Sequence, residues 1–169
     1  NNKLVFKEEN KESNIMIIGD ILDEEDEKKG KPFQGEKGIL LKNMLNAINL
    51  KKENLYITNF CLWRPLKNHK ITNDEIIKFL PFIQKQIEII KPKIILLFGS
   101  ITSKAILNTN LEFNLVRGKF YYYESINLDK PIPCLATYHP NYLILKNEFK
   151  KLTWEDLKSF QKKVIDENI

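Results

Sequence analysis

The chain has 169 residues, 43% of them hydrophobic, which is enough for one compact core, and carries 27 basic against 22 acidic residues for a net charge of +5. No run of about 18 apolar residues is present to span a membrane, and two cysteines are too few for a disulfide framework or a thiolate metal cage. The excess of positive charge fits a polyanionic partner or a plain lysine-rich surface equally well.

The first segment, "NNKLVFKEENKES", has neither the apolar stretch nor the cleavage site of a signal peptide, and a cytoplasmic protein is expected. Residues 1–13 are expected to be irregular, or the end of a longer N-terminal segment. The runs "NIMIIG" (14–19), "LYITNF" (55–60), "KIILLFG" (93–99) and "IPCLATYH" (132–139) are short, aliphatic and β-branched, as buried parallel strands are. Between them, "GILLKNMLNAINL" (38–50) and "TNDEIIKFLPFIQKQIEIIK" (72–91) repeat apolar residues every three to four positions, the helical period. Thr72 and Glu75 are spaced as a capping box, Pro81 predicts a kink or a restarted helix, and Lys91-Pro92 ends the pattern. A further helix opens at Ser100, its cap. "KFYYYES" (119–125) reads as a strand of a hairpin, and a last helix is expected near Thr153 with Asp156 as its cap partner. The expectation is a single three-layer α/β domain over residues 1–169, with a central four-stranded parallel sheet flanked by helices.

In such sheets ligands bind beyond the carboxyl ends of the strands. Those ends carry Gly19-Asp20, Asn59 followed by Arg64-Pro65, Gly99-Ser100, and His139-Pro140. Asp20 is placed to orient a water or stabilise a developing cation, or to act as a plain loop or helix-capping residue. Asn59 offers a donor beside an acceptor, which suits the edge of a base, and equally suits an Asx turn. His139 is a catalytic candidate or a satisfied core histidine, whereas His69 in "LKNHK" reads as solvated. "FGSITS" is not a dinucleotide fingerprint, and a mononucleotide-binding enzyme built on it leaves Phe33, Asn59 and His139 unexplained. Only two arginines, Arg64 and Arg117, survive in a lysine-biased chain, which marks them as places where a planar fork matters. The glycine-rich stretch "KKGKPFQGEKG" (28–38) sets Phe33 among lysines and glycines, where a core role is not expected.

Taken jointly, "GDILDEEDEKKGKPFQG", "YITNFCLWRP", "RGKF", "ATYHPNYLI" and "WEDLK" resemble the uracil-DNA glycosylase superfamily, its family-4 type most of all. The resemblance implies a glycosylase that flips uracil out of DNA into a pocket, hydrolyses its N-glycosidic bond and works as a monomer on uracil-containing DNA. It implies that Gly19, Asp26, Phe33 and Asn59 bind the base, with Phe33 stacked on it and the loop glycines letting backbone approach it. It implies that Asp20 and His139 are catalytic, and that Arg64, Arg117, Lys119, Leu145 and Lys146 meet DNA, the arginines as phosphate clamps and Leu145 as a wedge. Asp20 stands where the family has Glu, and the following Pro-Gly turn is missing. The family's [4Fe–4S] cluster takes four cysteines, two of which fall at Trp63 and Phe79 here, so no cluster and no other cofactor or metal is expected. The departures leave open a catalytically weak or inactive homologue that binds DNA or uracil, or serves as a protein-interaction module.

Overall fold

The computed structural model describes residues 4–5, 10–65 and 70–169; His69 and part of the first thirteen residues lie outside them. In chain order the elements are β1 (Ile15–Gly19), α1 (Glu24–Lys29), α2 (Gly35–Ala47), β2 (Tyr56–Asn59), α3 (Asn73–Ile90), β3 (Ile94–Phe98), α4 (Ser100–Leu107), α5 (Phe113–Val116), β4 (Phe120–Tyr123), β5 (Ile132–Thr137), α6 (Pro140–Leu145) and α7 (Lys150–Asp166). The sheet order is β2-β1-β3-β5-β4. The four expected parallel strands are all there, and β4 adds a fifth that pairs antiparallel with β5 at the edge. Phe120–Tyr123, from the stretch expected to form a hairpin strand, therefore belong to the main sheet.

Strand periodicity makes the layers. Ile15 and Ile17 of β1, with Ile94, Leu96 and Phe98 of β3, face a core shared with Leu41 and Leu45 of α2 and Phe160 of α7. Met16, Ile18, Ile95 and Leu97 point to the other face and pack with Phe79, Ile83 and Ile87 of α3 and Ile106 of α4. Every residue of β1 and β3 is buried, the mark of a sheet covered on both sides.

Three local expectations change. The helix does not restart at Pro81: α3 runs unbroken through it, because Pro81 sits on the exposed side where water can take the carbonyl it leaves unpaired. The Thr72–Glu75 capping box forms as expected. The last helix starts at Lys150, one turn before Thr153, whose hydroxyl donates back to the Phe149 carbonyl at 3.0 Å. Asp156 caps nothing; it is buried and paired elsewhere. Ser100 is not a cap either, since the helix follows Gly99 and its first N–H groups are taken by Asp20.

Candidate active site

Four parallel strands end side by side, and their last residues bring five of the predicted site residues together. Gly19 pairs in register with Asn59, so the tips of β1 and β2 are adjacent. Phe33 lies across them. A Cβ on Gly19 would meet Asn59 Oδ1 at 2.3 Å and the Phe33 ring at 2.5 Å, so only glycine allows this approach. On its other side Phe33 faces His139, with centroids 5.4 Å apart and planes 16° from parallel. Face-to-face contact needs only about 3.5–4 Å, so these two rings are offset.

Phe33 departs from expectation. It is 1% exposed, a member of the core, and holds a left-handed backbone at φ 53° that an aromatic residue rarely adopts. The loop glycines serve packing inside the protein: a Cβ on Gly38 would strike the Phe33 carbonyl at 2.0 Å. Nor are all the neighbouring lysines solvated. Lys37 is 3% exposed and ties the loop shut, its Nζ lying 2.5 Å from Asp23 Oδ2, 2.9 Å from Asp26 Oδ1 and 2.8 Å from the Gln34 carbonyl. Asp26 also accepts the Gln34 N–H at 2.7 Å and has no exposed surface, so its carboxylate organises the loop from behind.

Asn59 is 2% exposed, and its Nδ2 has no hydrogen-bond partner. A buried amide donor left unpaired is costly, of the order of 1–3 kcal/mol, and its place at a strand tip points to a ligand.

Asp20 follows β1 and reaches the start of α4, accepting the N–H of Thr102 at 2.8 Å and that of Ile101 at 3.4 Å. Burial nevertheless dominates and pushes its carboxyl up to about 7, the two N–H donors pulling the other way. His139 caps α6, and its Nδ1 accepts the Asn141 N–H at 3.1 Å. That bond leaves the ring proton on Nε2. Burial first, then the charge of Lys37, pushes the imidazole down to about 4, against an opposing pull from Asp23. His139 is therefore a neutral Nε2–H donor at ordinary pH. Asp20 and His139 share a cleft of about 610 Å³ with Ser100, Phe113, Tyr138 and Tyr142.

The remaining candidates scatter. Arg64 is held by Glu27, at 2.9 Å from Nε and 2.8 Å from a terminal nitrogen. Arg117 grips Asp156 with Nε at 2.9 Å and with a terminal nitrogen on the second oxygen, while the Thr137 hydroxyl donates to the same carboxylate at 2.7 Å. Both forks thus bind carboxylates of this chain, and the expectation that they stand ready as phosphate clamps is not met by this geometry. Lys119, Leu145 and Lys146 are exposed, Leu145 at 79%. Sequence reasoning missed Lys37 and gave Asp156 the wrong task. For Lys37 no signal existed, and for Asp156 the only one was its place in "WEDLK".

The residues do not fit an iron–sulfur cluster. Trp63 and Phe79 fill the positions expected for two ligands with rings 4.3 Å apart, Phe79 being 2% exposed. Cys61 and Cys134 are both buried, and burial raises both thiols, Cys134 to about 12, away from the thiolate a metal needs. Among the described residues no three His, Cys, Asp or Glu side chains gather as a metal site.

Comparison with known proteins shows the family. The chain is 34% identical over 156 residues to the type-4 uracil-DNA glycosylase of Sulfurisphaera tokodaii, covering 89% of this chain and 70% of that protein. It is 32% identical over 151 residues to that of Archaeoglobus fulgidus (88% and 76%), and 32% over 165 residues to that of Thermotoga maritima (95% and 84%). The model of the uracil DNA glycosylase superfamily matches residues 6–158, which include the whole sheet and the strand-end residues just described, and the chain belongs to that superfamily.

Proposed function

We propose that this protein is a DNA-repair glycosylase that hydrolyses the N-glycosidic bond of uracil in DNA, as a monomer and without metal or organic cofactor. The observation that carries this reading is the buried, unpartnered Asn59 Nδ2 beside Gly19 and Phe33. A uracil seated there gives that N–H an acceptor in O4 and gives Asn59 Oδ1 the N3–H as donor. Cytosine offers the reverse pattern, an amino donor and a bare N3, and is refused. The base lies against Phe33, and because Phe33 is covered in the free protein, entry requires the packing over it to open.

His139 then donates Nε2–H to the uracil O2, where negative charge grows as the C1′–N1 bond breaks. A neutral imidazole that caps its own helix is already oriented for this and needs no reorganisation. Asp20, as a carboxylate, faces the developing positive charge on the sugar and takes a proton from the water that adds to C1′. The products are uracil, protonated from solvent at N1, and an abasic sugar bearing the new hydroxyl. Lys119 and Lys146 contact phosphates, Leu145 fills the gap left in the duplex, and Arg64 and Arg117 act as ties within the protein.

The direct test is single-turnover incubation of excess protein with a uracil-containing oligonucleotide, followed by alkaline cleavage of abasic sites. Uracil-dependent strand cleavage is expected, slowed ~100-fold or more by Asp20→Asn or His139→Ala. No release by folded protein that still binds DNA establishes instead a non-catalytic DNA-binding homologue.

A further inference from the structure

The cleft that holds Asp20 and His139 continues past them along an aromatic wall. Tyr138 and Tyr142 stack with centroids 5.3 Å apart and planes 13° from parallel, and Phe149 leans on them at 4.8 and 5.5 Å. Phe113 of α5 meets Tyr138 edge-on at 5.2 Å. All four rings line the same space of about 610 Å³. The residues proposed to hold the reacting base, Gly19, Phe33 and Asn59, lie outside this lining. Nor is the wall simply core, since Tyr142 is 40% exposed and Phe113 and Phe149 are partly so.

We propose that this wall is a second nucleobase subsite, on which the base next to the uracil in the same strand stacks against Tyr142 and Phe149, and that it selects single-stranded over duplex DNA. The proposal rests on the uracil reading of Asp20 and His139. Its first argument is continuity: a strand whose sugar lies at the catalytic pair has its neighbouring nucleotide in the rest of the same cleft. The second is chemistry, because any base has a π face and aromatic platforms bind single strands without regard to sequence. The third is charge: the exposed Lys146 and Lys150 flank Phe149 at the ends of α6 and α7, where the phosphates of such a strand run. In a duplex the neighbouring base is held by its own partner, so reaching the wall demands a second unpairing. A single strand has no partner to lose.

Uracil oligonucleotides in which the base on the 5′ or the 3′ side is replaced by an abasic tetrahydrofuran unit test this, read by fluorescence anisotropy and by single-turnover excision. With wild-type protein, removing the neighbour on one side weakens single-strand binding about tenfold or more. Tyr142→Leu abolishes that dependence and lowers the ratio of single-strand to duplex affinity, whereas Tyr142→Phe, which keeps the ring, retains the neighbour dependence. Indifference of the wild type to both neighbours overturns the proposal, as does a dependence that survives Tyr142→Leu in a variant melting like the parent. If no strand releases uracil, the glycosylase reading fails separately, and the neighbour dependence of binding still decides the role of the wall.

Discussion

Asp20 Oδ1 accepts the backbone N–H of Thr102 at 2.8 Å, which ties the acid that follows β1 to the first turn of α4. Helix capping and the catalytic-base role proposed above thus fall on one carboxyl group. The helix end favours the charged form, but burial outweighs it and leaves the group close to 7. Because only the carboxylate takes a proton from water, single-turnover excision should rise about tenfold per pH unit below pH 7 and level off above it. Asp20→Asn should be slow and flat over the same range. Quenched-flow or manual time courses from pH 5 to 9 measure this, and a wild-type rate independent of pH across 5 to 7 removes Asp20 as base.

Asp20 and His139 make opposite contributions to stability. Asp20 moves from an ordinary 3.8 to about 7, so between about pH 4 and 7 the folded chain holds a proton the unfolded chain has lost, and stability falls as pH rises. His139 moves from 6.5 to about 4, so over about pH 4 to 6.5 the unfolded chain holds the extra proton, and stability rises with pH. The two nearly cancel in the wild type. Asp20→Asn should therefore gain stability from pH 4 to 6.5, and His139→Asn should lose it, in urea melts at each pH. Parallel curves for all three proteins contradict these assignments.

Arg117 is paired with the buried carboxylate of Asp156, and we expect this tie, not a phosphate contact, to be its main role. Asp156 is 1% exposed, so Arg117→Ala leaves its carboxylate without a counter-charge, held only by the Thr137 hydroxyl, and should cost about 3–5 kcal/mol in a denaturant melt. Replacing both, as Arg117→Met with Asp156→Leu, should recover much of that loss. The slope of log K against log salt for DNA binding should barely change in the double variant. A slope shallower by about one unit returns Arg117 to the phosphate interface.

Phe33 separates packing from recognition only with a careful choice of substitution. Phe33→Ala empties a fully buried site and should cost about 3–5 kcal/mol, which hides any effect on the base. Phe33→Leu keeps most of the volume and loses the π face. It should remain folded and weaken binding of a uracil strand by about 1–3 kcal/mol, with base ranking preserved. Unchanged affinity in Phe33→Leu takes the base off this ring.

Much of this architecture was legible in the sequence because it rests on short-range rules. Short unbroken aliphatic runs marked β1 and β3, the Thr72–Glu75 spacing marked the start of α3, and the ends of parallel strands marked Asp20, Asn59 and His139 as candidates. What was not legible depends on distant partners. Lys37 is buried only because α1 presents Asp23 and Asp26 to it, and a lysine amid lysines carries no sign of that. Asp156 looked like a cap for Thr153 by spacing alone, until β5 supplied Thr137 and the turn before β4 supplied Arg117. Phe33 looked exposed because its neighbours are polar, yet the left-handed turn at that residue folds its ring inward between Asn59 and His139. Asp20 and the N-terminus of α4 are some 80 residues apart, and no local pattern joins them.

Uracil recognition, as proposed, depends most directly on Asn59 and its unpartnered amide, and the decisive measurement is base ranking in Asn59→Asp. Excision is followed on matched single strands that carry uracil or cytosine at one position, with thermal melts alongside. Wild type should release uracil and leave cytosine intact. Asn59→Asp replaces the donor by an acceptor, so it should cut uracil release and raise cytosine release, shifting the ratio by about 1–3 kcal/mol or more. A folded, active Asn59→Asp that ranks the two bases as the wild type does would contradict the claim that this site reads uracil through Asn59.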